Sequence, residues 1–118
     1  MPTLIACLST GKGTWTEVTK IIKSQEWNKI FLITHEFGKE NFKPNEKTEL
    51  ILINSFNEID EISEEIKKQL KDKINDFEIA LNVVSGIGKE HMAILKAVME
   101  LGLNFRLVTI KNDKLEIL

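Results

Sequence analysis

Cysteine and histidine are nearly absent from this 118-residue sequence. The single Cys7 permits no internal disulfide, and Cys7 with His35 and His91 falls short of the usual four ligands of a structural zinc site. Proline is as scarce. Pro2 and Pro44 lie outside the strongly periodic segments, and no repeat, low-complexity tract or Pro/Gly/Ser-rich linker divides the chain. No apolar run approaches the roughly 18 residues that a membrane span needs. The opening Met-Pro-Thr lacks the basic, apolar and small-residue layout of a secretory leader, so a soluble, cytosolic protein is expected. Charge of one sign is lacking too: 16 Lys and Arg face 18 Asp and Glu, a formal net charge of -2. A dedicated binder of double-stranded nucleic acid needs a basic surface to neutralise phosphates and release counterions, so that class is not expected. What remains is 42% hydrophobic and 29% charged, too apolar for disorder and long enough for one core. A single domain over residues 1–118 is expected.

Short apolar runs alternate with helical periodicity. Thr3 to Leu8 reads as a strand ending in the polar turn Ser9-Thr10-Gly11-Lys12-Gly13. Thr14 followed by Glu17 has the form of a capping box, and Trp15, Val18 and Ile21 or Ile22 recur at helical spacing, predicting a helix from about Thr14 to Gln25. Lys29 to Thr34 is the second strand, its run Ile30-Phe31-Leu32-Ile33 suited to burial on both faces. Residues 35–47 read as a loop or short irregular crossover. Glu49 to Ile53 is a third strand. Ser55 or Asn57 is positioned to cap a helix with the stripe Ile59, Ile62, Ile66, Leu70 and Ile74. Phe77 to Val84 is a fourth strand, Ser85-Gly86-Ile87-Gly88-Lys89 a second glycine turn, and 89–101 a helix closed by Gly102. Asn104 to Ile110 and Lys114 to Leu118, joined at Asn112-Asp113, form an antiparallel hairpin. The pattern predicts an α/β, Rossmann-like open sheet of about six strands, mainly parallel and flanked by helices.

In such sheets ligands bind beyond the carboxyl ends of the strands where the strand order reverses. In the common 3-2-1-4-5 order that place lies between strands one and four, the two that end in glycine turns. Glycine lets amides approach a ligand, and the helix that follows points its positive end at the same spot. Lys12 and Lys89 add charge, and Ser9, Thr10, Thr14 and Ser85 add hydroxyls, so an anion site is expected. Gly11-Lys12-Gly13-Thr14 is not a Walker A loop, because Ala6 replaces its first glycine and Gly13 follows the lysine. Neither glycine pair is a dinucleotide fingerprint, because Thr16 and His91 stand at the third glycine. The alternative is that both turns are purely structural.

The segment Leu8-Ser9-Thr10-Gly11 followed by Trp15-x-x-Val18, and the later Leu81-Asn82-Val83-Val84-Ser85-Gly86-Ile87-Gly88-Lys89-x-x-Met92, resemble the two ligand-binding motifs of the CARF domain, the CRISPR-associated Rossmann fold. The resemblance runs nearly end to end. It implies a homodimer that binds a cyclic oligoadenylate, the tetra- or hexa-adenylate messenger of type III CRISPR antiviral defence, in a pocket across the two-fold axis. Ile87-Gly88 departs from the polar residue that many members carry after the glycine. With no effector nuclease or winged-helix sequence after the sheet, the resemblance implies a small ring nuclease that opens the messenger without a metal or other cofactor. Its alternative is a non-catalytic sensing module that signals to a partner chain. In the first case Lys89 would stabilise charge developing on the phosphate, Ser9 and Thr10 would orient ribose or phosphate, and Lys12 would hold a neighbouring phosphate. Gly11, Gly13, Thr14, Ser85, Gly86, Ile87, Gly88 and His91 would line the ligand.

Other residues keep two readings at this point. His91 is placed either to serve a phosphate or to have no role, and His35 is supported only by its position after the second strand. Trp15 suits core packing better than stacking on a base. Cys7 reads as an inert core thiol. Arg106 either reaches the pocket or pairs with a carboxylate. The helix over 89–101 is apolar on most sides, which suits an interface with a second copy better than a central position in the fold.

Overall fold

The computed structural model describes residues 2–9 and 14–118. Ten elements follow one another as β1 (Thr3–Cys7), α1 (Trp15–Lys23), β2 (Lys29–Thr34), α2 (Glu36–Asn41), β3 (Thr48–Leu52), α3 (Ile59–Leu70), β4 (Glu78–Asn82), α4 (Gly88–Glu100), β5 (Asn104–Lys111) and β6 (Lys114–Ile117). The strands form one sheet in the order β3-β2-β1-β4-β5-β6. All neighbours are parallel except β5 and β6. The expected α/β sheet with its terminal hairpin is thus the observed one.

Strands covered on both faces explain the unbroken apolar runs. Along β1, Ile5 and Cys7 face a core shared with Ile62, Ile66, Ala93, Ile94 and Ala97 of α3 and α4. Leu4, Ala6 and Leu8 face a second core shared with Val18 and Ile21 of α1 and with Trp27. The register Ile5↔Phe31 and Ile5↔Leu81 keeps large side chains of β2, β1 and β4 in one row on the α3/α4 side.

Several boundaries differ from the sequence reading. The segment expected to be a loop contains α2, whose periodicity is masked because Gly38 packs flat on Thr34; a side chain at that glycine would run into the Thr34 hydroxyl. The capping box expected at Thr14 and Glu17 is not formed. Thr14 is the N-cap of α1 without a side-chain hydrogen bond, and the Glu17 carboxylate instead accepts from the Thr109 hydroxyl at 3.4 Å. Neither Ser55 nor Asn57 caps α3. The N-cap is Glu58, whose amide donates to the Glu61 carboxylate at 3.0 Å. Helix α3 stops at Leu70, so Ile74 reaches the core from the following loop. Other features follow their sequence signals. Gly102 closes α4 in a Schellman arrangement, with Gly102 N donating to Met99 O and Leu103 N to Val98 O, both at 3.1 Å. Asn112 and Asp113 have φ of 54° and 61°, the left-handed pair of a tight hairpin turn. Asp113 also pairs with Lys20 at 2.8 Å, tying the hairpin to α1.

Among the described residues no helix is long and apolar enough to cross a membrane.

Candidate functional site

The reversal of strand order falls between β1 and β4, as the 3-2-1-4-5 expectation requires. The two turns that follow these strands meet there: the Ser9 amide donates to the Ser85 hydroxyl at 2.9 Å. The indole N–H of Trp15 donates to the Ser9 carbonyl at 2.6 Å, so the Ser9 backbone is held from both sides. Trp15 itself sits edge-on to Phe37 and Phe42, 5.9 and 6.2 Å between centroids, and therefore packs on the α1/α2 side rather than offering a face to a base. Thr10, Gly11, Lys12 and Gly13 lie outside the described residues.

The turn after β4 is built tightly. Asn82 donates from its side chain to the Val108 carbonyl at 2.8 Å and accepts from the Val84 amide at 3.2 Å, fixing the exit from the strand. Ser85 is fully buried. Its hydroxyl joins the two turns, so in this arrangement it is a tether and not a group exposed to a ligand. Gly86 has φ of 106°, and a Cβ there would come to 2.8 Å from both Cys7 Sγ and Glu90 Oε1. Only glycine combines that backbone with that approach. His91 Nε2 lies 2.9 Å from the Ser85 carbonyl. Because a carbonyl only accepts, this nitrogen carries the proton and braces the turn. Burial, and next the nearby Glu90 carboxylate, push the Cys7 thiol far above its usual range, which leaves it protonated and inert as expected.

A cavity of about 780 Å³ opens beside these turns, within the range of small-molecule pockets. Ser9 borders it from the end of β1, His35 and Glu36 from the β2–α2 junction, and Leu52, Ile53, Asn54, Ser55 and Phe56 from the end of β3. Ile87 and Glu90 close it from the start of α4. Of the residues the sequence singled out for ligand contact, Ser9, Ile87 and His35, the last supported there only by its position after the second strand, line the cavity. Lys89 stands beside it, with its ammonium group donating to the Ser55 carbonyl at 3.2 Å. Gly88 has open space where a Cβ would be, so packing does not require glycine there. Arg106 is turned away and pairs with Glu78 at 3.2 Å, which decides between its two readings.

The described lining is apolar and acidic: it holds the carboxylates of Glu36 and Glu90 and no Lys or Arg. Among the described residues the positive groups beside the cavity are the Lys89 ammonium and the first-turn amides of α4, which have no intrahelical acceptors. Glu90 is 3% exposed, and both its oxygens are engaged, one by the Ile87 amide at 3.0 Å and one by the Ser55 hydroxyl at 2.9 Å. The β3–α3 loop and Glu90 escaped the sequence reading. The signal that could have found the loop is the same rule that located the crevice, since the loop leaves the carboxyl end of a neighbouring strand. Among the described residues no group of three or more His, Cys, Asp or Glu is placed to hold a metal ion.

Helix α4 buries Ala93, Ile94, Ala97 and Val98 but leaves Met92 and Met99 60% and 67% exposed, with Leu95 between them on the outer face. Its apolar character is thus divided between the core and an open stripe. In comparisons with known proteins, the chain matches no family model and no curated protein.

Proposed function

We propose that this chain binds a cyclic oligoadenylate at the carboxyl rim of its sheet, as a homodimer, and opens the ring without a metal. The observation that carries the reading is the hydrogen bond from the Ser9 amide to the Ser85 hydroxyl. It joins the two segments that resemble the CARF motifs at the point where the strand order reverses, beside a cavity of ligand size. The open stripe of Met92, Leu95 and Met99 supports the second copy, because an apolar helix face of this kind is ordinarily covered. A symmetric ring would then meet the same groups twice.

In the cleavage step a ribose 2′-oxygen bonds to the adjacent phosphorus and the bond from phosphorus to the 5′-oxygen breaks. The hydroxyl proton passes through solvent to the departing 5′-oxygen, leaving a 2′,3′-cyclic phosphate. Lys89 would exchange the Ser55 carbonyl for the phosphate and stabilise its growing charge, and Ser9 would position the ribose. The second reading, a sensor that binds without cleaving, is favoured by two contacts: the Ser85 hydroxyl is consumed within the fold, and Lys89 is already engaged.

Incubation with cyclic tetra-adenylate and cyclic hexa-adenylate in EDTA, with products followed by chromatography and binding by calorimetry, separates the readings. A linear product ending in a 2′,3′-cyclic phosphate is expected, and Lys89→Ala should abolish it and weaken binding. Tight binding without product leaves the sensor. Neither binding nor product removes both.

A further inference from the structure

The loop after β3 is held by side-chain hydrogen bonds from both α3 and α4. The Asn54 amide donates to Glu65 Oε2 at 3.1 Å, and the Asn57 side chain donates to Glu65 Oε1 at 2.6 Å, so one carboxylate of α3 holds both flanks. Asn54 Oδ1 accepts from the Phe56 amide at 3.0 Å. Ser55 is held from α4, its hydroxyl by Glu90 and its carbonyl by Lys89. Bracing of this density usually serves to bury the loop's apolar residue. Here it does the opposite: Phe56 borders the cavity and is 95% exposed. Apart from Phe77, at the opposite end of the sheet, the aromatic side chains are buried or partly buried, so the fold uses its rings for packing and spares this one.

An exposed aromatic ring carried on a hydrogen-bonded backbone at the mouth of a ligand-sized cavity suits a flat partner, because every base has a face that stacks and the ring's position is already set by the loop. The cavity's polar groups narrow the partner further. Both Glu90 oxygens already have donors, whereas the Glu36 carboxylate has no hydrogen-bond partner among the described residues. An ionised carboxylate only accepts. It would welcome an exocyclic amino group and repel an exocyclic carbonyl oxygen in the same place.

We propose that Phe56 is a stacking platform for a nucleobase and that Glu36 selects a base carrying an exocyclic amino group, adenine over hypoxanthine. This rests on the reading of the cavity as a nucleotide site. It adds the two residues that recognise the base, neither of which belongs to the motif segments.

Calorimetry of the intact protein with cyclic tetra-adenylate and cyclic tetra-inosinate tests both parts. Wild type should prefer the adenylate. Phe56→Ala, which removes a solvent-exposed ring and should leave the fold intact, should weaken adenylate binding about five- to 150-fold, the range of base–aromatic stacking. Phe56→Trp should restore the affinity and show quenching of the added fluorescence on binding. Glu36→Gln should reduce the preference for adenine. Unchanged affinity in Phe56→Ala would overturn the platform, and equal affinity of wild type for the two rings would overturn the role of Glu36. If neither ring binds wild type, the ring reading falls and adenosine decides this one separately: saturable quenching of Phe56→Trp by adenosine sustains the platform, and its absence removes it.

Discussion

The Ser9 amide and the Ser85 hydroxyl are joined across 76 residues of sequence by a 2.9 Å hydrogen bond. Ser85 is fully buried, whereas Ser9 borders the cavity. The bond links the exits of two neighbouring parallel strands and thereby fixes the floor of the crevice.

Replacing Ser85 by Ala should destabilise the protein by about 0.5–1.5 kcal/mol, the net contribution of one intramolecular hydrogen bond. Urea unfolding of the two proteins measures the difference. A loss below about 0.5 kcal/mol would mean that the Ser9 amide finds another partner.

Gly86 and Gly88 look equivalent in the sequence and should respond oppositely. Gly86→Ala places a Cβ 2.8 Å from Cys7 Sγ and Glu90 Oε1 at a φ of 106°. That strain should cost more than about 1 kcal/mol. Gly88→Ala meets open space at the first position of α4 and should be neutral or stabilising by less than about 1 kcal/mol. Thermal midpoints that fall equally in both variants would contradict the distinction.

Cys7 should be silent to thiol reagents until the protein unfolds. Its raised pKa also gives the stability a slope against pH. The folded state keeps the thiol protonated, so this contribution is fully present below the unfolded thiol's value of about 8.5 and is lost as pH rises above it. Stability measured by denaturant at pH 7 and pH 9.5 should fall more for wild type than for Cys7→Ala. An equal fall in both would assign the slope to other groups.

Met92 and Met99 are largely exposed in the single chain, so charge at either should hardly affect its folding, by less than about 0.5 kcal/mol. If their helix face meets a second copy, Met99→Lys should shift the mass seen by light scattering from dimer to monomer. A wild-type protein that is monomeric at micromolar concentration would refute the interface.

The architecture was legible because the strands are covered on both faces and so announce themselves as apolar runs, while α3 shows a clean stripe. The hairpin was legible from Asn112-Asp113, whose side chains tolerate the required backbone. The short α2 was not, because six residues with a glycine pressed on Thr34 leave no period to read. At the site, the strand ends and glycine turns led to Ser9, His35 and Ile87 on the cavity wall. They did not lead to Glu90 or Phe56. One is a buried carboxylate whose function depends on Ser55, distant in sequence, and the other is an aromatic whose exposure no local pattern reveals.

The strand order has a consequence for the nascent chain. Within this sheet the strand made earliest, β1, is an interior strand, with β2 on one side and β4 on the other. After β2 and β3 have been made, the far border of β1 stays open until β4 and part of the chain beyond it emerge, an interval of seconds at ordinary rates of translation. During that time an apolar ribbon with unsatisfied peptide groups is available to any neighbour that can pair with it. Conditions that slow synthesis between Leu52 and Glu78 should raise the demand for chaperones without altering the finished molecule.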